Sequence, residues 1–293
     1  VFRLTGGGRD GADVYYGICL HTTVPHHHTH LDGIVDKRAD MQRCICIITR
    51  YPFLDFFFNV LRDLARTCEG NIQRSMIDDI VKSYVEWPVP ASGTTKSFQP
   101  LNGTEPFELT RPPSPSKEDL HGLPEEIVFV REWALPILFS SMTIDNVMMV
   151  LGCAMREMHV VVETEDLQLL SGVIWSVVCL LHPLKWANPL IVTVPNTLYE
   201  FLDSPIPPLL GVEKLPNSFV FKPGMLIVRP EKNVVLLHDE DMQRYHTLCL
   251  PQVSRLCHDL RGHERVLRGP GGLVPPVMQN LHLDLKRSSS PAW

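Results

Sequence analysis

Residues 181–212 read LHPLKWANPLIVTVPNTLYEFLDSPIPPLLGV. An apolar helical pattern with Leu167, Leu170, Ile174, Val177 and Leu181 on one stripe runs into this stretch and stops at Pro183. Proline cannot continue a helix, so a turn follows. That turn carries Trp186, which is expected to be a large buried anchor. Leu190–Val194 (LIVTV) is β-rich and predicts a strand. Pro195 then opens a short helix around Leu198, Phe201 and Leu202, because proline suits a helix start. Pro205, Pro207 and Pro208 hold the next residues extended, and Asp203 is placed to brace that turn through nearby backbone N–H groups. Leu209–Val212 ends the stretch with Gly211-Val212. Helix, strand, helix and strand in such short order imply an α/β sheet.

The alternation extends outward over residues 125 to about 250. Ala134–Ser140 is apolar and strand-like. Thr143 can cap a helix carrying Val147, Leu151, Met155 and Met158. His159–Glu163 (HVVVE) reads as a short buried strand, and Thr164 can cap the helix after it. Met225–Val228 and Asn233–Leu237 read as paired strands. The acidic run His238-Asp239-Glu240-Asp241 is expected to be a solvated turn, since it lacks the alternating aspartates of a calcium loop.

Residues 1–86 read as strands packed by two helices. Val14–Leu20 and Met41–Thr49 are β-rich. Pro52 opens a helix with Phe57, Leu61, Leu64 and Cys68 at helical spacing, and Ile72, Met76, Ile80 and Tyr84 mark a second. Residues 87–124 hold eight of the 25 prolines, with Ser, Thr and Gly between them. They are expected to be a linker holding no single conformation, with one short strand, PFELT at 106–110, able to dock onto a neighbour. The tail, 261–293, is rich in Gly, Pro and Ser and is expected to be disordered or truncated from something larger. The predicted division is thus 1–86, 87–124, 125–260 and 261–293.

Composition narrows the function. The 293 residues are 44% hydrophobic and 20% charged, ordinary values for a folded chain. Lys and Arg total 27 against 33 for Asp and Glu, a formal charge of -6. A general nucleic-acid binder would carry a basic surface instead. No apolar run is long enough for a membrane span. The Leu167–Leu181 segment is too short and reads as a core helix. No secretory signal pattern is found. The eight cysteines are too sparse for a disulfide scaffold, and the apolar surroundings of Cys44, Cys46, Cys153 and Cys179 suggest reduced core thiols of a cytoplasmic protein.

Candidate chemistry is meagre. Gly6, Gly8 and Gly11 satisfy G-x-G-x-x-G, with Asp32 about 20 residues on, but a dinucleotide fold needs a strand before and a helix after the loop. Here a strand follows, so a hairpin turn is the better reading. There is no phosphate loop, nucleophile elbow or H-E-x-x-H. His21, His26, His27, His28 and His30 crowd one loop without the spacing of a metal site. Cys249, Cys257, His258 and His263 lack the close ligand pairing of zinc. Cys44 and Cys46 share one strand face, expected to be core. Ser114-Pro115 is a possible phosphorylation site only by its local pattern. No cofactor is expected. A protein-binding role fits better than small-molecule chemistry.

The ordered set in 181–212, namely Pro183-Leu184-x-Trp186, Pro195, Phe201-Leu202-Asp203-Ser204-Pro205-Ile206-Pro207 and Gly211-Val212, resembles the central segment of DENN domains. Met148–Ser171 resembles the helix, turn, buried strand and helix start that precede it. Leu4-Thr5, Gly11, Tyr16-Gly17 and Tyr51-Pro52-Phe53 resemble the family's N-terminal lobe. The resemblance covers about residues 1–250. It implies an α/β protein with a longin-like N-terminal lobe and a larger, three-layer, doubly wound-like DENN lobe. It also implies guanine-nucleotide exchange on a Rab-type small GTPase in membrane trafficking, with no covalent catalysis. The implied location is cytoplasmic, peripheral on endomembranes at most. A non-catalytic scaffold that binds a GTPase or trafficking partner is the alternative.

Within this resemblance Pro183, Trp186, Pro195, Leu202, Pro205, Pro207 and Gly211 mark the fold. Lys185 and Asp203 are the candidate partner contacts. The chain departs from the family where Ile227-Val228-Arg229-Pro230-Glu231 replaces a run such as Val-Asp-Leu-Asp, and no third, helical DENN segment is recognisable after about residue 260.

Overall fold

The computed structural model describes residues 1–5, 14–24, 41–67, 74–99, 106–114, 123–244 and 250–263. The chain divides into two units, Val1–Phe129 and Val130–Trp293.

In the first unit, β1 (Phe2–Thr5), β2 (Val14–Val24) and β3 (Met41–Thr49) form an antiparallel sheet in that order. β1 and β2 pair directly, as the hairpin reading of the glycine loop requires; the loop itself lies outside the described residues. α1 (Leu54–Thr67) packs on β2 and β3, burying Leu54, Val60, Leu61, Leu64 and Ala65. α2 (Arg74–Val85) is tied to α1 by the Tyr84 hydroxyl, which donates to the buried Asp63 carboxylate. Cys68 and Ile72 fall outside the described residues, as do His26, His27, His28, His30, Asp32 and Cys249.

Two expectations fail in this unit. The Pro-rich stretch holds a hairpin, β4 (Thr95–Phe98) paired with β5 (Phe107–Thr110), so PFELT finds its neighbour inside the expected linker. The physical reason is aromatic burial. Phe98 and Phe107 meet Phe56 of α1 edge-on, Trp87 lies tilted against Phe56 and stacks on Phe98, and Phe53, Phe98, Leu109 and Phe129 form a core. Each such ring buries far more apolar area than an average residue. Arg111 adds an ion pair to Glu125 at 2.5 Å. Second, Cys44 and Cys46 are exposed, not core. They alternate with Ile45 and Ile47 along β3, so the period of two sends the thiols to the face away from α1. Cys153 and Cys179 are buried as expected.

The second unit is built on a five-stranded sheet. α3 (Glu125–Ser141) runs across the division and is followed by α4 (Ile144–Ala154), β6 (His159–Glu163), α5 (Leu167–Leu181) and β7 (Leu190–Ile191). Then come a 3-10 segment (Asn196–Asp203), β8 (Leu209–Val212), β9 (Met225–Arg229), β10 (Val234–Leu237), the short α6 (Asp239–Met242) and α7 (Val253–Gly262). The spatial order is β10-β9-β6-β8-β7, with β9, β6, β8 and β7 parallel and β10 antiparallel at the edge. Val160 of central β6 faces Leu209 on one side and Leu226 on the other. A strand buried on both faces needs a continuous apolar run, which HVVVE supplies.

One face of the sheet (Val160, Val162, Leu209, Leu226, Val228) packs with α4, α5 and the end of α3. On the other face Val161, Leu210 and Val212 are covered by Leu202 of the 3-10 segment and by Val194, with Tyr199 and Phe219 against them. Among the described residues this second cluster has no α-helical cover, where a third layer of helices was expected.

Local readings differ in instructive ways. Ala134–Ser140 is the second half of α3, not a strand. A short apolar run carries no period to tell the two apart, and the helix is started by Glu125 and Glu126 at its positive end. Thr143 does cap α4, accepting from the Asn146 amide. Met155 and Met158 lie beyond that helix. Asp166, not Thr164, caps α5; its carboxylate accepts the Gln168 and Leu169 amides, and a carboxylate suits a helix N-terminus better than a hydroxyl. The strand expected at Leu190–Val194 pairs only over Leu190–Ile191, and the acidic run after β10 is a helical turn with His238 as its cap. Among the described residues no single helix is long and apolar enough to cross a membrane.

Candidate functional site

Parallel strands present all their amino ends to one edge of a sheet and all their carboxyl ends to the other. Of the residues singled out in the sequence, Pro183, Lys185 and Trp186 lie in the loop that enters β7 and Asp203, Pro205 and Pro207 in the approach to β8, both on the amino edge, whereas Pro195 follows β7 and Gly211 lies within β8.

Lys185 is exposed in the loop between α5 and β7. Asp203 closes the 3-10 segment ahead of β8. Its carboxylate takes the Lys222 ammonium, from the loop entering β9, at 2.6 Å. Asp203 therefore braces two loops by an ion pair. The backbone bracing expected of it is done by Ser204, whose hydroxyl accepts the Ile206 amide at 3.2 Å. His159 lies buried at the start of β6, and its Nε2 has no hydrogen-bond partner. Burial lowers its pKa to about 4; the Asp203 charge opposes that shift and Lys222 adds to it.

The fold-marking residues divide by depth. Leu202 is buried and Gly211 is buried within β8. A Cβ on Gly211 would lie 2.3 Å from the Val192 carbonyl oxygen and 2.7 Å from Leu170, so no larger residue fits. Pro195 sits at the N-cap of the 3-10 segment. Pro183 and Pro205 are exposed and Pro207 is half-buried. Trp186 is half-buried, not a fully buried anchor: it packs on the core and donates Nε1–H to the Pro189 carbonyl at 3.2 Å.

Around these residues the loops expose large apolar side chains, Leu184 at 57%, Ile206 at 53% and Val220 at 59%.

The carboxyl edge is concave and polar, and the sequence reading missed it. The Glu163 carboxylate, at the end of β6, accepts from Arg229 Nε at 2.5 Å and from the Leu215 amide at 3.0 Å. The Thr164 hydroxyl donates to Glu231. The Tyr199 hydroxyl donates to the Lys214 carbonyl at 2.7 Å. Beside them an open cleft of about 540 Å³ is lined by Glu165, Asn196, Tyr199, Glu213, Lys214 and Leu215, among others. The available signal was a carboxylate placed directly after the buried run HVVV. Among the described residues no group of three or more His, Cys, Asp or Glu is arranged to hold a metal ion.

Comparison with known proteins places this architecture. A family model described as the DENN (AEX-3) domain matches residues 40–242. The chain is 28% identical over 179 residues to DENN domain-containing protein 2A of Homo sapiens, which covers 60% of this chain and 16% of that protein. It is 29% identical over 264 residues to the MAP kinase-activating death domain protein of Caenorhabditis elegans, covering 75% of this chain and 18% of that protein. It is 27% identical over 176 residues to DENN domain-containing protein 2D of Mus musculus, covering 59% and 34%. The chain thus spans a fifth or less of the first two relatives and about a third of the other.

Proposed function

The chain belongs to the DENN (AEX-3) domain family, a family of Rab exchange factors, and on that premise we propose that it binds a Rab-type small GTPase and promotes release of its GDP. The match over residues 40–242 carries this reading. In it, the strands and helices up to residue 86 serve as a longin-like lobe, and residues 125–260 serve as the central DENN lobe. The protein works in the cytoplasm and meets its partner on endomembrane surfaces.

Exchange of this kind needs no covalent step. The factor binds the GTPase more tightly when the switch segments are displaced and the nucleotide has left, and that difference in affinity expels GDP. Driving a two-state equilibrium from one extreme to the other takes a preference of about 10⁴-fold. An interface of order 2,000 Å² is the scale of such signalling complexes.

The loops entering β7 and β8 are proposed as part of that interface. Leu184 and Ile206 would supply apolar contact, and Lys185 would meet a carboxylate of the GTPase. Asp203, held by Lys222, would keep the loop entering β8 in register with the loop entering β9. The exposed apolar side chains beside Lys185 support this placement. The test is the affinity of the chain for a Rab stripped of nucleotide against the same Rab loaded with GDP. Tighter binding to the stripped form, weakened by Lys185→Glu and Ile206→Asp, is the expected result. Equal affinity for both forms would point instead to a scaffold that holds a GTPase without exchanging its nucleotide.

A further inference from the structure

Three thiols and an imidazole stand together on the face of the first sheet that α1 leaves open. Cys19 of β2 and Cys46 of β3 are directly opposite in register, as are His21 and Cys44. Cys19 donates its S–H to Cys46 with the sulfurs 3.1 Å apart, and Cys44 Sγ lies 3.7 Å from His21 Nε2. Cys44 and Cys46 are exposed and Cys19 is half-buried. The thiols belong to the first unit, whereas the loops invoked for GTPase binding belong to the second.

We propose that Cys19 and Cys46 form a modification site: a cross-strand dithiol that a low-molecular-weight disulfide such as oxidised glutathione converts to an intramolecular disulfide. The sulfurs need to close by about 1 Å to reach the ~2.05 Å bond. Directly opposed strand residues hold their Cβ atoms about 4.5–5.5 Å apart, near the ~3.5–4.5 Å of a disulfide, whereas the diagonal Cys44, though its thiol also reaches Cys19, starts from a longer Cβ separation.

The exposed Cys46 thiolate attacks one sulfur of the oxidant, forming a mixed disulfide and releasing one glutathione thiolate. Cys19 then attacks the Cys46 sulfur, the mixed disulfide breaks, and the second glutathione leaves. Two protein thiols are oxidised, one glutathione disulfide is reduced to two thiols, and the two protons pass to the departing glutathiones. Burial first, then the Cys46 hydrogen bond and charge, push the Cys19 thiol up to about 11. Cys19 therefore stays protonated in the reduced pair, and capping Cys46 removes part of that restraint. The bond would close a loop of 27 residues between the strands.

The experiment exposes the reduced 293-residue chain to oxidised glutathione, blocks remaining thiols with N-ethylmaleimide and sequences the peptides by mass spectrometry. The expected product has lost two hydrogens in intact mass and carries a Cys19–Cys46 link, with Cys44 blocked. Cys44→Ser should keep the link and Cys46→Ser should lose it, with melting curves confirming that both variants fold. A glutathione adduct that persists on Cys46, a link from Cys19 to Cys44, or a Cys19 blocked as completely as in untreated protein would each overturn the proposal.

Discussion

Arg229 donates its Nε–H to the Glu163 carboxylate at 2.5 Å, joining the carboxyl ends of the neighbouring parallel strands β9 and β6. The other oxygen of Glu163 accepts the Leu215 amide, which follows β8. One side chain thus fastens three strand ends. Arg229 stands in the run where the chain departs from the usual family pattern, so the departure is matched by a partner on β6.

Removing that carboxylate should be costly. Glu163→Ala strands a part-buried guanidinium and a backbone amide, and the expected loss is about 2–3 kcal/mol. Arg229→Met should cost less, because the remaining carboxylate keeps the Leu215 amide. Urea unfolding midpoints of the two variants check the order.

Acid should weaken the second unit through His159. Its folded pKa of about 4 lies below the ordinary 6.5, so between these values the unfolded chain binds the extra proton. Stability is then fully present above about pH 6.5 and falls as pH drops towards 4, by up to about 3 kcal/mol. A His159→Gln variant should lack that part of the pH dependence. Parallel unfolding curves at pH 7 and pH 5 for both proteins make the comparison.

At Gly211 any side chain collides with backbone. The Val192 carbonyl would sit 2.3 Å from the new Cβ, and a main-chain atom cannot turn aside as a rotamer can. Gly211→Ala should cost about 3 kcal/mol or more, at the upper end for overpacking. A thermal melt reads it directly, and an unchanged melt would show that β7 and β8 are not packed as described.

Trp186→Ala should be milder than a core truncation. The ring is half-buried, so a loss of about 1–3 kcal/mol is expected, below the usual 3–5 for a buried aromatic. The folded fraction and the near-ultraviolet dichroism should survive. The half-exposed Asp203–Lys222 pair should matter still less, with Asp203→Ala costing under about 1 kcal/mol.

Much of this fold was legible because its strongest signals are local. HVVVE reads as a buried strand through its run of β-branched residues, and Thr143 stands directly before the helix it caps. The glycine loop was readable as a hairpin because the run after it was β-rich. What escaped the sequence depends on neighbours distant in the chain. Ala134–Ser140 is helical because α3 starts at Glu125, and the Pro-rich stretch is ordered because Trp87 meets Phe56 and Phe98. The exposed thiols follow from which face of β3 meets α1, a choice alternation alone leaves open. The motif marked Lys185 and Asp203 only as candidates, and the Glu163–Arg229 link joins residues 66 apart that no local pattern announces.

The most direct measurement is release of fluorescent GDP from a panel of purified Rab GTPases on addition of the chain. Accelerated release from one or a few members is the expected result, reduced by Lys185→Glu in a variant that melts normally. Binding to Rab proteins without acceleration on any of them, by a chain shown to be folded, would contradict it.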